Sequence, residues 1–428
     1  MKHCKLIVLL LSLVLTVTML AACSKNGDGG TQDDTTKAAE TDVSAETDAS
    51  TEEEVLLEPI KIGHIVDLTG VEAMTGLEYQ RAVQFTIESL GGKIGGHPVT
   101  IIEGDAQNTA ATAAALAQKM VEEDEVIAIL GPTQAGHKMA VAEYMKEVEV
   151  PLIFYNPTPP FLLQGNDWVI GANGGSPQIP TVMADYAYNE LGYRKVNTIS
   201  MDNAGGHVFI DPFVEVFTAL GGEVGTQSWT PMPCEDMAPY LVNMEDADAL
   251  VAWTSGSDAV ALWIAWYDLG LKDKLPIITT MHGGFTDYFI AEAIAESRPD
   301  VADAMVGTYA GMMYAKDLDT PESKELLAKW VEKYGEEPRF VAAGSCSQAI
   351  YLLDAALKSI DGDTEPAKIV EAMFNTDYTG PEGHTFFENS SAATKDIYVM
   401  RVNKNADGKF DHELVEVYHD VPPTGLAK

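Results

Sequence analysis

Val126-Ile127-Ala128-Ile129-Leu130-Gly131-Pro132 is the stretch that decides the fold. An apolar run this short reads as a strand buried on both faces, and the Gly-Pro pair closes it. The same alternation extends outward in both directions. Residues 110–123 are Ala-rich with helical spacing, 137–147 are again helical, and Pro151-Leu152-Ile153-Phe154-Tyr155 returns to a strand. Upstream, Ile60-Lys61-Ile62-Gly63-His64-Ile65-Val66 alternates like a strand, 76–90 is helical, and Pro98-Val99-Thr100-Ile101-Ile102-Glu103 is a second strand. A second series begins after Asn173-Gly174-Gly175-Ser176-Pro177. It predicts helices over 181–191, 209–220 and 259–269 and strands over 195–201, 223–229, 249–253 and 276–280. Strands alternating with such helices imply parallel sheets covered on both faces, with ligands bound beyond the carboxyl ends of the strands.

The chain has 428 residues, 65 acidic and 27 basic, a net charge of −38 that opposes binding to nucleic-acid phosphates. Its 46% hydrophobic content suits a folded body. The single long apolar run, residues 6–22, follows a short basic segment at the N-terminus, so a polytopic membrane protein is excluded. Basic n-region, apolar h-region and Leu20-Ala21-Ala22-Cys23 form an export signal. The last four residues resemble the bacterial lipobox, which implies that Cys23 is lipidated and anchors the protein outside the cytoplasm. Residues 24–58 are acidic and poor in large apolar side chains, and are expected to be a solvated tether. Cys234 and Cys346 are the remaining cysteines of the body, as readily free thiols as one bridge.

The loops to inspect are those after strands. Leu68-Thr69-Gly70, Gly76, Arg81-Ala82-Val83-Gln84, Gly91-Gly92, Gly95-Gly96, Asp105 and the 126–132 stretch, in this order and spacing, resemble the branched-chain amino acid family of type I periplasmic solute-binding proteins. The segment from Lys329 to Pro338 and the helix through Tyr351 and Asp354 look like the family's late helix pair, and Gly380 to Glu388 like its closing hairpin. The resemblance covers residues 59 to 415 and is weakest between 200 and 300. It implies an α/β protein of two Rossmann-like lobes joined by three crossovers, near 173–178, 307–312 and 393–398. The N-terminal lobe would comprise 59–175 plus 311–395, and the C-terminal lobe 176–310 plus 396–428. It further implies a monomeric, cofactor-free binder that closes on a small molecule and docks on ABC permease subunits.

The family holds a ligand carboxylate with hydroxyls and backbone amides of the N-terminal lobe, which points to Thr75, Thr133, Gln134, Ala135, Tyr155, Asn156 and Thr158. Thr158, in the family's position, could equally cap a turn among Pro157, Pro159 and Pro160. The second lobe departs from the pattern: Asn203-Ala204-Gly205-Gly206-His207 replaces the usual aromatic segment, and His282 stands near the expected acid. An ammonium would then need Asp202 or Asp258, either of which could be a helix cap instead. Alternatively the ligand carries no ammonium and meets His207 or His282. Trp253 and Ser255 complete the candidate set; Trp229 is a weaker wall, and Trp263 and Trp266 read as packing.

No hydrolase, zincin, phosphate-loop or Cys-x-x-Cys motif is present. Asn403 to Asp411 approaches a calcium loop, but Leu414 stands where a bidentate Glu is required, so a turn at Asp407-Gly408 is expected. The reading is therefore an extracytoplasmic lipoprotein capturing a small hydrophobic amino acid or related carboxylate. Its alternatives are a binder of ammonium-free, for example aromatic, carboxylates, or a ligand-sensing module for a membrane receptor.

Overall fold

The computed structural model describes residues 57–70, 72–281, 287–338 and 341–427. The export signal, Cys23, most of the tether, and His282 lie outside them.

The first half runs β1 (Ile60–Val66), α1 (Ala73–Ser89), β2 (Lys93–Ile94), β3 (His97–Asp105), α2 (Ala110–Glu122), β4 (Ala128–Leu130), α3 (Ala135–Val148), β5 (Leu152–Phe154), α4 (Pro160–Leu163) and β6 (Val169–Gly171). Next come α5 (Gln178–Asn189), β7 (Lys195–Met201), α6 (Ala204–Ala219), β8 (Glu223–Thr230), α7 (Ala238–Leu241), β9 (Ala249–Trp253), α8 (Gly256–Asp268), β10 (Ile277–Thr279), α9 (Asp287–Ala295), α10 (Pro299–Ala304) and β11 (Tyr309–Met312). The chain ends with α11 (Pro321–Tyr334), α12 (Ala342–Ser359), α13 (Pro366–Phe374), β12 (Tyr378–Gly380), β13 (Gly383–Phe386), β14 (Thr394–Lys404) and β15 (Phe410–Val421).

Among the described residues these strands form two sheets. One has the order β2-β3-β1-β4-β5-β6, the other β12-β13-β14-β11-β10-β9-β7-β8, with β15 on β14. Around β1 and β7 the pairings are parallel, as the crossover helices require. Consecutive strand residues face opposite layers: Leu130 and Ile153 join one core cluster, while Ile129, Leu152 and Phe154 join the other beneath α2 and α3. That two-sided burial explains why β4 reads as an unbroken apolar run. Removing such a side chain, as in Phe154→Ala, costs about 3–5 kcal/mol. Trp263 and Trp266 are core residues of α8, Trp266 donating its indole N–H to the Leu275 carbonyl at 2.7 Å.

The chain leaves the first sheet after β6, crosses the second along β11, packs back on the first lobe through α12, which lies against α1 and β2, and rejoins the second sheet through β12 to β15. The β12–β13 hairpin pairs with the start of β14 and packs against α11 and α12, so it touches both layers. Gln178, opening α5, donates its side-chain N–H groups to the carbonyls of Ala393 (3.1 Å) and Val421 (2.6 Å). Cys234 and Cys346 are buried free thiols, so no bridge joins them. The calcium-like segment is the tip of the β14–β15 hairpin, where Asn405 Oδ1 accepts from the backbone of Asp407 and Lys409, each at 3.1 Å.

Candidate functional site

A cavity of about 320 Å³ lies among the loops at the carboxyl ends of strands from both sheets, a size suited to a small organic molecule. The N-terminal turns of α1 deliver Glu72, Thr75 and Tyr79 to it, spaced so that they share one helix face. Gly76 makes this approach possible: a Cβ there would sit 1.7 Å from the Asp67 carbonyl oxygen. The β4–α3 turn supplies Thr133, Gln134, Ala135 and Lys138, and the loop after β5 supplies Asn156 and Pro157. Asn156 is held by donating to the Thr133 carbonyl at 2.9 Å, and its side-chain oxygen is buried with no protein partner.

The second lobe contributes a mainly apolar wall. Met201, Val208 and Phe209 line the cavity from β7 and α6, and Trp253 lines it from the end of β9. Trp253 stacks on Phe209, centroids 5.0 Å apart and planes 7° apart. Ser255 donates its hydroxyl to Glu72 Oε1 at 3.4 Å, a contact between the lobes.

Charge is sparse. Among the described lining residues Glu72 is the carboxylate and Lys138 the cation. Burial raises the Glu72 carboxyl above its ordinary range, hydrogen bonds from Thr75 and Ser255 opposing the shift and Asp67 adding to it. Burial alone holds the Lys138 ammonium well below the usual lysine range.

Of the residues singled out in the sequence, Thr75, Thr133, Gln134, Ala135, Asn156, Trp253 and Ser255 come together on the cavity. Tyr155 does not line it; it is buried behind Tyr79, stacked on that ring at 4.8 Å and hydrogen-bonded to His64 at 3.0 Å. Thr158 is fully buried below the lining, its backbone paired with Gly174 and Ser176 and its hydroxyl without a partner. Asp202 and His207 are drawn off to the surface, where the His207 ring lies 3.6 Å from Asp202 and 3.2 Å from Asp211 and stacks on Trp229 at 4.0 Å. Asp258 accepts the Cys234 amide at 3.1 Å and is absent from the lining. Sequence reasoning missed Glu72 and Lys138. Glu72 lies just past the loop after β1, and Lys138 follows Gln134 by four residues, the helical spacing that places it on the same face.

Two helix-covered sheets with a cavity closed by loops of both are the architecture of a bilobal solute receptor. Residues 59–409 match the periplasmic binding protein family, and the chain belongs to that family, in the type I group that includes branched-chain amino acid binders. These are extracytoplasmic solute-binding proteins of ABC transporters. Leu/Ile/Val-binding protein homolog 6 of Brucella melitensis is 24% identical over 375 residues, 86% of this chain and 93% of its own. A solute-binding protein of an ABC transporter from Rhodopseudomonas palustris, solved with p-hydroxybenzoic acid, is 23% identical with a TM-score of 0.76, covering 86% of this chain and 99% of that one. The leucine-binding protein LivK of Thermotoga maritima is 23% identical with a TM-score of 0.73, covering 84% and 99%. Among the described residues no helix is long and apolar enough to cross a membrane.

Proposed function

We propose that this protein is the lipid-anchored binding component of an ABC importer and captures a small hydrophobic amino acid, or a closely related carboxylate, between its lobes. The observation that carries the reading is the charge pattern of the cavity: among the described lining residues one acid, Glu72, and one base, Lys138, are set among neutral and largely apolar neighbours. Each is held by its own neighbours, Glu72 by the Ser255 hydroxyl and Lys138 by the Asn156 and Pro157 carbonyls. Such a pair suits a zwitterion, the ammonium at Glu72 and the side chain against Trp253, Phe209 and Met201. The ligand closes the lobes by its differential affinity for the closed state.

Thermal shift of the solute-depleted protein with leucine, isoleucine and valine tests this. A ligand at about 100 times its Kd adds about 2.7 kcal/mol, so a bound amino acid raises the melting temperature; flat melting curves across the panel reject the reading. A second reading, an ammonium-free aromatic carboxylate, is favoured by the raised Glu72 carboxyl and by the Phe209–Trp253 stack, which offers an aromatic ring a flat partner. Stabilisation by 4-hydroxybenzoate but not by amino acids selects it.

A further inference from the structure

We infer that the Lys138 ammonium is the counter-charge for the ligand carboxylate, so that a salt bridge, and not hydroxyls and amides alone, selects the anionic end. The inference rests on the capture of a carboxylate proposed above, and holds for either ligand class.

Lys138 is 1% exposed. Its Nζ donates to the Pro157 carbonyl at 2.7 Å and the Asn156 carbonyl at 3.4 Å, and lies 4.6 Å from the centre of the Phe154 ring. All three partners are neutral. Among the described residues no carboxylate lies within ion-pair distance of it. Asp67 is turned to His137, 3.3 Å away, and accepts from Gln134 at 3.3 Å and the Asn108 amide at 2.8 Å; Glu72 is engaged by Ser255.

A buried ammonium with only neutral acceptors is costly, and proteins keep such charges paired. Lys138 borders the cavity beside the same Asn156 and Pro157 that hold it. Two carbonyls leave the third N–H of the ammonium free. A carboxylate placed there would make a charge-assisted hydrogen bond in a water-poor site and would restore the affinity of the amine for its proton.

Calorimetry in two buffers of different ionisation enthalpy reads this directly. Leucine and 4-hydroxybenzoate are titrated at about pH 7.5 into solute-depleted wild type and into Lys138→Met. The expected result is that wild type takes up more protons per ligand bound than the variant, and that the variant binds about tenfold or more weakly. Variant affinity within about twofold of wild type overturns the inference and leaves Lys138 as a brace for the β5–α4 loop. Should Lys138→Met not fold, Lys138→Gln replaces it: a loss of about tenfold or more in 4-hydroxybenzoate affinity supports the inference, and affinity within about twofold of wild type overturns it. If no amino acid or aromatic acid binds at all, the proposed function fails and takes the inference with it.

Discussion

Lys395 and Glu382 form an ion pair at zero solvent exposure, where β14 enters the second sheet beside the β12–β13 hairpin. Lys395 also donates to Asn173 Oδ1, and Glu382 accepts the Ser345 hydroxyl at 2.8 Å. Asn173 and Ser345 both line the cavity, so one buried pair joins two crossovers to the ligand space. Burial pushes the Glu382 carboxyl up and the Lys395 ammonium down, against their mutual attraction. Lys395→Met or Glu382→Gln alone strands the other charge and should cost about 3–5 kcal/mol in urea unfolding, whereas an apolar double replacement should cost clearly less. Equal costs for single and double variants would exclude charge stranding as the cause.

Glu72 carries a pH signature. Its carboxyl is raised in the folded protein, so it holds a proton more tightly folded than unfolded. That stabilisation is present below the unfolded carboxyl pKa and is lost as pH rises through the raised folded value. Glu72→Gln should therefore gain on wild type in melting temperature as pH rises above the ordinary glutamate value of about 4.3. The same variant should bind leucine about tenfold or more weakly while leaving 4-hydroxybenzoate binding largely intact.

Thr158→Val separates family position from actual contact. The hydroxyl is buried and unpartnered, so an isosteric methyl should leave stability within about 1 kcal/mol or improve it, with affinity unchanged. A clear loss of affinity would return Thr158 to the ligand.

Cys23→Ser tests the anchor. Wild-type protein should fractionate with membranes and incorporate labelled fatty acid, and the variant should do neither. Membrane retention of an unlabelled variant would point instead to an uncleaved signal helix.

The parallel β/α succession was legible because the central strands are buried on both faces and helices such as α2 and α3 on one, which leaves simple apolar periods in the chain. The two long antiparallel strands β14 and β15 were not. They carry Lys395, Asp396, Arg401 and Glu413, whose charges are met across the β14–β15 hairpin or from the hairpin before it, and so hide the apolar alternation. The site was half legible for the same reason. Residues at and just beyond strand ends could be picked by position, and seven of the residues singled out line the cavity. Asp202 and His207 follow a strand equally well, yet pair with each other and with Asp211 at the surface, a local alternative that loop position cannot reveal.

The C-terminal tail lies against the first crossover. A Cβ on Gly175 would stand 2.1 Å from the Pro423 oxygen, and the Leu426 amide donates to Thr181 at 2.9 Å. A fluorescent protein fused to the tail would ride on the pivot of the molecule and register little of its movement, however tightly solute binds. An optical sensor built from this scaffold should carry its dyes on the exposed Met139 and Val242, one on each lobe and both outside the cavity lining.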